Sequence, residues 1–322
     1  MEKIFEILYN NEKKDKNTVV VVGDAILDKY IYGTLNNEDI PIFTPGKKFL
    51  YLGGAANVAH NVMKMENDYM FFSIIGDGDN SRNLLTIFNG KGLESNYIIK
   101  ETSRDISLKT RIVSDKQVIV RIDEDVIEDS NLMANGYLFN RLKHLIKDTK
   151  VLIISNYYKG CISEDLYIKI KNLCIENNIK LLLDCSRKHD FSGVYLLKPN
   201  LVEFANITNK QFNNMKDIIE TGINFKNVNN IQNLLVTMDK DGLIFIDSDD
   251  NYHHIKSISN QAIDACGAGD SLIAGIATCL ARDIDLKTSI EFGNMAASVC
   301  CSNIGTYAVT LDDIKTLWNK IA

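Results

Sequence analysis

A chain of 322 residues, 45% hydrophobic and 24% charged, has the makeup of a soluble globular protein with one large or two smaller domains. A formal net charge of −6, with no basic run longer than a pair such as Lys13-Lys14 or Lys47-Lys48, argues against nucleic acid as a partner. Seven cysteines without a C-x-x-C pair, no signal-like N-terminus and no apolar run near ~18 residues exclude a zinc ribbon and a membrane span, so a reduced, cytoplasmic protein is expected.

Residues 1 to 17 read as an N-terminal extension. Ile4, Phe5 and Leu8 fall on one face of a short peripheral helix, and the polar run Asn10 to Asn17 follows. The body, 18 to 322, opens with Thr18 to Val22, a β-branched run of the kind buried on both faces of a parallel sheet. It ends in Gly23-Asp24, and the C-terminal ends of such strands are where open α/β sheets carry their sites. After Asp28, the segments Lys29 to Gly33, Ile40 to Phe43 and Lys48 to Leu52 alternate between turn residues and predict a small antiparallel patch. Gly53-Gly54-Ala55-Ala56-Asn57 then opens a helix with Val58, Ala59, Val62 and Met65 on one face. A glycine pair there is either a tight loop or a close approach of backbone to a ligand.

Tyr69 to Ile75 predicts the next buried strand, and Asn80 to Phe88 the next helix. Ser107 to Asp123 returns to hairpin character with a turn at Ser114-Asp115-Lys116, so 29 to 52 and 106 to 124 are expected to form one separate sheet, a lid. Strands near 150 to 154, 180 to 184, 195 to 197, 233 to 237 and 243 to 247 follow. They alternate with helices near 130 to 146, 163 to 176, 200 to 206, 268 to 281, 285 to 301 and 312 to 321. This rhythm predicts an α/β fold, a three-layer α/β/α sandwich.

Two constellations stand out, and the first, read from its residues alone, is a structural helix cap. Pro199 stops a strand, and Asn200 and Glu203 have the capping-box spacing. In Asp264-Ala265-Cys266-Gly267-Ala268-Gly269-Asp270, small residues precede an apolar helix, which leaves the N–H groups of Gly267, Ala268 and Gly269 at a positive dipole end, an anion site. A carboxylate beside them would repel a phosphate ligand, but it suits a base that takes the proton of an attacking hydroxyl. The alternative is a glycine-rich helix entry whose Asp270 only complements the dipole.

The string D-x-x-G-A-G-D-x-x-x-A-G, Asp264 to Gly275, resembles the C-terminal signature of the PfkB, ribokinase-like carbohydrate kinases, with Ala265 as a mild departure. Gly-Gly-Ala-Ala-Asn at 53 to 57 resembles their N-terminal signature. The resemblance implies a ribokinase-like sandwich with a small β-sheet lid and ATP-dependent phosphorylation of a sugar. Asp270 would be the base, Gly267, Ala268 and Gly269 the anion hole, and Gly53, Gly54 and Asn57 the holders of sugar hydroxyls. It also implies that Asn200 and Glu203 position Mg²⁺ through water, that Thr237 and Gly242 adjoin the nucleotide, and that Asn294 lies on the adenine side. A monovalent cation is a further cofactor of that implied set. Asp239 stands where these kinases usually have Gly, which puts an extra acid near the polyphosphate. The chain has no G-x-x-x-x-G-K-[ST], which speaks against a P-loop kinase, and no G-x-G-x-x-G after the first strand, which weakens a Rossmann oxidoreductase.

Within that family the chain after residue 17 is similar to the D-glycero-β-D-manno-heptose-7-phosphate kinases. The carrying segments include Val22-Gly23-Asp24 with Leu27-Asp28-x-Tyr30, Lys109-Thr110-Arg111, Arg121-x-Asp123 and Ser155 to Gly160. This similarity implies Asp28 and Asn156 on the sugar side and a phosphorylated acceptor. Such an acceptor needs fixed cations, and Lys109, Arg111, Arg121 and Lys159 are concentrated there, with solvated strand-edge charge as the alternative. Leu35 to Pro41 replaces the usual Arg-Ile-Ser-Pro-Glu-Ala-Pro, Leu52 a Pro, and Asn156 an Asp. A kinase for another sugar and a non-catalytic sugar- or nucleotide-binding regulator therefore stay open. The lid predicts a homodimer, and with the chain ending at 322 a separate nucleotidyltransferase is the expected pathway partner.

Overall fold

Four consecutive valines, Val19 to Val22, offer water no tolerable face, and strand β1 (Val19–Gly23) is buried at every residue. The computed structural model of the chain describes residues 1–10, 18–36, 39–115, 117–258 and 263–322. Helix α1 (Glu2–Tyr9) precedes β1. The chain continues through β2 (Ala25–Asn36), β3 (Ile42–Gly54), α2 (Ala55–Lys64), β4 (Tyr69–Ile75), α3 (Asp79–Gly90), β5 (Ile98–Lys100), β6 (Leu108–Ser114), β7 (Gln117–Glu124), α4 (Leu132–Leu145) and β8 (Val151–Asn156). Next come α5 (Glu164–Glu176), β9 (Lys180–Cys185), β10 (Leu196–Leu197), α6 (Leu201–Thr208), α7 (Met215–Val228), β11 (Asn233–Thr237), β12 (Leu243–Ile246) and β13 (Tyr252–Ile255). Helices α8 (Ala268–Ala281), α9 (Leu286–Cys301) and α10 (Leu311–Ile321) close the chain.

Among the described residues the main sheet runs β13-β12-β11-β10-β9-β8-β1-β4-β5, with every strand in one direction except β12. Because side chains alternate across a strand, Val20 and Val22 enter one core with Leu138, Leu166, Ile170 and Phe204, whereas Val19 and Val21 enter the other with Val58, Phe88, Ile273 and Ile276. Helices thus cover both faces, giving a three-layer α/β/α sandwich, as the resemblance implies. The lid is a four-stranded sheet, β3-β2-β6-β7.

The structure differs from the sequence expectation at several points. The three lid segments of 29 to 52 merge into two long strands, because Pro45 lies on edge strand β3, where a missing N–H breaks no ladder, and a bulge between Ile31 and Gly33 takes up the irregularity. The antiparallel patch expected over 29 to 52 forms as β2 and β3, while the lid as a whole is mixed, since β2 and β6 run parallel. Helix α7 follows an asparagine-rich stretch with little helical propensity; Asn214 caps it and Ile218 and Phe225 bury its inner face. Helix α1 is docked rather than peripheral, as Ile4, Phe5 and Leu8 join a third apolar cluster with Phe292, Met295, Leu311 and Ile314. The polar run 11 to 17, Asn37 and Glu38 of the first lid segment, and Lys116 of the predicted turn lie outside the described residues.

Candidate active site

Helix α8 begins where the sequence motif places it. Gly267, at φ 83°, is its N-cap, and a Cβ there would meet Asn57 Nδ2 at 2.8 Å, so both conformation and space require glycine. The turn closes one of the three N–H groups expected to form the anion hole: that of Ala268 donates to the Ala265 carbonyl at 3.2 Å. A single tight turn into the helix pairs residues three apart, and the free pair is Gly267 and Gly269, whose N–H groups meet no acceptor among the described residues.

Asp270, in the first turn, is buried. Asn57 Nδ2 donates to its Oδ2 and the Tyr157 hydroxyl to its Oδ1, both at 2.8 Å. Burial pushes the carboxyl up to about 7 against these two donations, and the Asp184 charge adds to the rise. Asp184, at the end of β9, is itself buried and accepts from Lys198 Nζ at 3.0 Å. Burial works against the Lys198 charge, but Asp184, Glu203 and Asp270 outweigh it and hold its pKa above the ordinary value. Asn200 and Glu203 form the capping box of α6: the Glu203 N–H donates to Asn200 Oδ1 at 2.8 Å and the Asn200 N–H to Glu203 Oε2 at 2.7 Å. Burial, then Asp184, raises the Glu203 carboxyl.

A cavity of about 670 Å³ opens beside this cluster. Its walls include Asn200, Thr237, Gly242, Asn294, Ala268 and Gly269, so the residues expected on the nucleotide side share one space with the start of α8. Gly242 has φ 87° and would bring a Cβ to 2.2 Å from the Ile255 carbonyl. Asp239, on the same wall, holds φ 53°, the left-handed region that glycine occupies freely and aspartate tolerates.

On the other side, the lid presents Asp28, Lys109 and Arg111. Asp28 and Arg111 are directly paired, with side chains only 5% and 13% exposed, and burial raises the Asp28 carboxyl in spite of the arginine. Gly53 makes room for that carboxylate, since a Cβ there would stand 2.1 Å from Asp28 Oδ2; Gly54 turns the chain into α2 at φ 55°. Lys109 Nζ lies 5.7 Å over the Tyr157 ring and makes no ion pair among the described residues. The other two expected cations are engaged elsewhere: Lys159 with Asp125 at 2.6 Å, and Arg121 with Asp123 at 2.9 Å on the exposed strand β7. Asn156 Oδ1 accepts from the Tyr158 N–H at 2.9 Å, while its buried Nδ2 meets no partner among the described residues.

Four residues of this arrangement were given no role from sequence. Asp24 is buried and accepts the N–H groups of Tyr157 (2.7 Å), Lys159 (3.1 Å) and Cys161 (2.9 Å), so it shapes the segment after β8. Tyr157, Asp184 and Lys198 complete the surroundings of Asp270. The only local signal was the position of Asp24, Tyr157 and Asp184 at or just past C-terminal strand ends.

Comparison with known proteins gives a consistent result. A family model described as pfkB family carbohydrate kinase matches residues 16–313. The "Bifunctional protein HldE" of Aliarcobacter butzleri (strain RM4018) is 28% identical over 305 residues, 93% of this chain and 64% of that protein. That of Helicobacter pylori (strain HPAG1) is 26% identical over 308 residues, 94% of this chain and 66% of that protein. The chain thus spans about two thirds of the length of these relatives. Phosphofructokinase-2 from Escherichia coli, solved in complex with potassium, superposes with a TM-score of 0.76 at 16% identity, covering 94% of this chain and 98% of that one. Arabidopsis thaliana ribokinase, solved with ribose and ATP, gives 0.76 at 16% identity over 93% and 98%.

Proposed function

The chain belongs to the pfkB family of carbohydrate kinases, phosphotransferases with an alcohol group as acceptor, and from that premise we propose that it phosphorylates the anomeric hydroxyl of D-glycero-D-manno-heptose 7-phosphate. The products are heptose 1,7-bisphosphate and ADP. The observation that carries this reading is Asp270, a buried carboxylate between a cavity of nucleotide size and a lid that supplies cations. Similarity to the HldE proteins over more than nine tenths of this chain favours a heptose acceptor over other sugars.

In this mechanism ATP occupies the 670 Å³ cavity with its phosphates toward the start of α8. Asp270 takes the proton of the acceptor hydroxyl, the hydroxyl oxygen forms its bond to the γ-phosphorus, and the bond to the β,γ-bridging oxygen breaks with ADP leaving. The N–H groups of Gly267 and Gly269 and the dipole of α8 face the charge on the transferred group. Asn57 and the free Nδ2 of Asn156 hold acceptor hydroxyls. Lys109 holds the remote phosphate, and the Arg111–Asp28 pair frames the sugar.

The charge around Glu203 and Asn200 also suits Mg²⁺. Asp184, Glu203 and Asp270 set three carboxylates against the single ammonium of Lys198, a buried excess of negative charge that a hydrated divalent ion offsets. Glu203 would hold it through water, with Asn200 beside it, and when bound it would neutralise charge on the phosphates.

A coupled ADP-release assay across heptose 7-phosphate, fructose phosphates, ribose, fructose and nucleosides tests the assignment. Turnover confined to an unphosphorylated sugar would replace the acceptor, and no turnover with any sugar would favour a binding protein.

Two further expectations follow from the same reading. Asp239→Gly removes a negative charge from the cavity wall and frees a left-handed backbone position, so ATP should bind roughly 3- to 10-fold tighter at low salt, with the gain shrinking as salt screens it. Calorimetry at two ionic strengths measures this, and unchanged binding would place Asp239 away from the polyphosphate. The lid also leaves Val118, Val120 and Ile122 exposed on its outer strand, which supports a homodimer through the lid. Sedimentation at micromolar concentration should give the dimer mass, and a monomer would contradict the pairing.

A further inference from the structure

We infer that Tyr157 is a positioning residue of the phosphotransfer, fixing the Asp270 carboxylate through its hydroxyl and linking it to the lid through its ring. The inference rests on the reading of Asp270 as the base. The two Asp270 oxygens are held from opposite sides, Oδ2 by Asn57 of α2 and Oδ1 by Tyr157 from the segment after β8. Two donors from separate elements leave the carboxylate one orientation, and both favour its charged form over the protonated one.

Tyr157 is itself anchored. Its N–H donates to Asp24 Oδ2 at 2.7 Å, and the same buried carboxylate takes the N–H groups of Lys159 and Cys161, so the phenol projects from a clamped backbone. Burial, and then the Asp270 charge, hold its own proton well above the ordinary tyrosine range, which keeps it a donor throughout any working pH. The remaining groups facing Asp270 do not substitute for it. Asp184 is a like charge, Lys198 is committed to Asp184, and the Cys300 thiol is pushed up to about 12, first by burial. Lys109 over the Tyr157 ring adds the second link: the lid cation proposed to hold the acceptor phosphate rests on the side chain that orients the base.

The test is the pH profile of kcat/KM. Wild type should lose activity below a limb near the Asp270 value of about 7. In Tyr157→Phe the limb should move up by roughly one to two pH units, the equivalent of one charge-assisted hydrogen bond, with kcat also below wild type on the high-pH plateau because the base has lost one of its two fixing donors, and the KM for ATP unchanged. Replacing Tyr157 with 3,5-difluorotyrosine, a stronger donor of the same shape, should move the limb down, and this second protein answers the question if the phenylalanine variant does not fold. A limb that stays in place in the folded variants, with activity lowered equally at every pH, would mean a merely structural side chain and overturn the inference. Near-normal turnover by Asp270→Asn would instead remove the base assignment on which it rests.

Discussion

Asp270→Asn is expected to abolish turnover while leaving the nucleotide cavity intact. Loss of a general base lowers kcat by at least ~10²-fold, and the asparagine keeps the size and one acceptor oxygen for Asn57 or Tyr157, so ATP affinity should hold. The same substitution has a thermodynamic signature. Burial raises the Asp270 pKa from 3.8 to about 7, so between these values the folded state binds more protons than the unfolded state. Stability attributable to this group therefore falls as pH rises from ~4 to ~7 and stays low above it, by an amount on the order of 4 kcal/mol. Asparagine carries no charge to bury. The variant should melt higher than wild type at pH 8, with the gain much smaller at pH 5, which calorimetry at the two pH values measures. Near-normal turnover would end the mechanism, and a melting difference independent of pH would mean that Asp270 is not the ionising group.

How much of this was legible in the sequence depends on whether a feature is local. β1 and α8 were readable because valines buried on both faces and an apolar run after glycines admit few other arrangements. The start of α8 could be placed to the residue, yet the fate of its N–H groups could not, since the bond from Ala268 to Ala265 depends on how tightly the turn closes. Asp24 and Tyr157 are 133 residues apart and meet only when β1 and β8 pair, and Tyr157 meets Asp270 across a further 113. No periodicity reports such a contact. The four cations were legible as a group but not as individuals. Their separate fates follow from which acid each side chain reaches and not from register alone: Asp28 of β2 lies opposite Lys109 of β6 yet pairs with Arg111, and Lys159, off the lid, pairs with Asp125.

Those fates make Lys109 and Arg111 distinguishable. Lys109→Ala should raise the KM for the phosphorylated acceptor on the order of 10- to 100-fold, the worth of one charge-assisted hydrogen bond, with the KM for ATP and the melting temperature little changed. The fold should be spared because this ammonium neutralises no carboxylate in an ion pair among the described residues. Arg111→Ala removes the partner of a buried acid. It should raise the acceptor KM to a similar degree and also destabilise the protein by ~3 to 5 kcal/mol, because Asp28 is left charged and unpaired. Adding Asp28→Asn to Arg111→Ala removes the stranded charge, so the double variant should recover much of the stability without recovering the acceptor KM. Arg121→Ala, on an exposed pair with Asp123, should change both quantities little. Steady-state kinetics for both substrates, with melting curves on all four proteins, separate a residue that binds the acceptor from one that holds the lid together. Equal losses for acceptor and ATP in Lys109→Ala would remove the phosphate assignment, and a stable Arg111→Ala would mean that the Asp28 pair does not hold the lid.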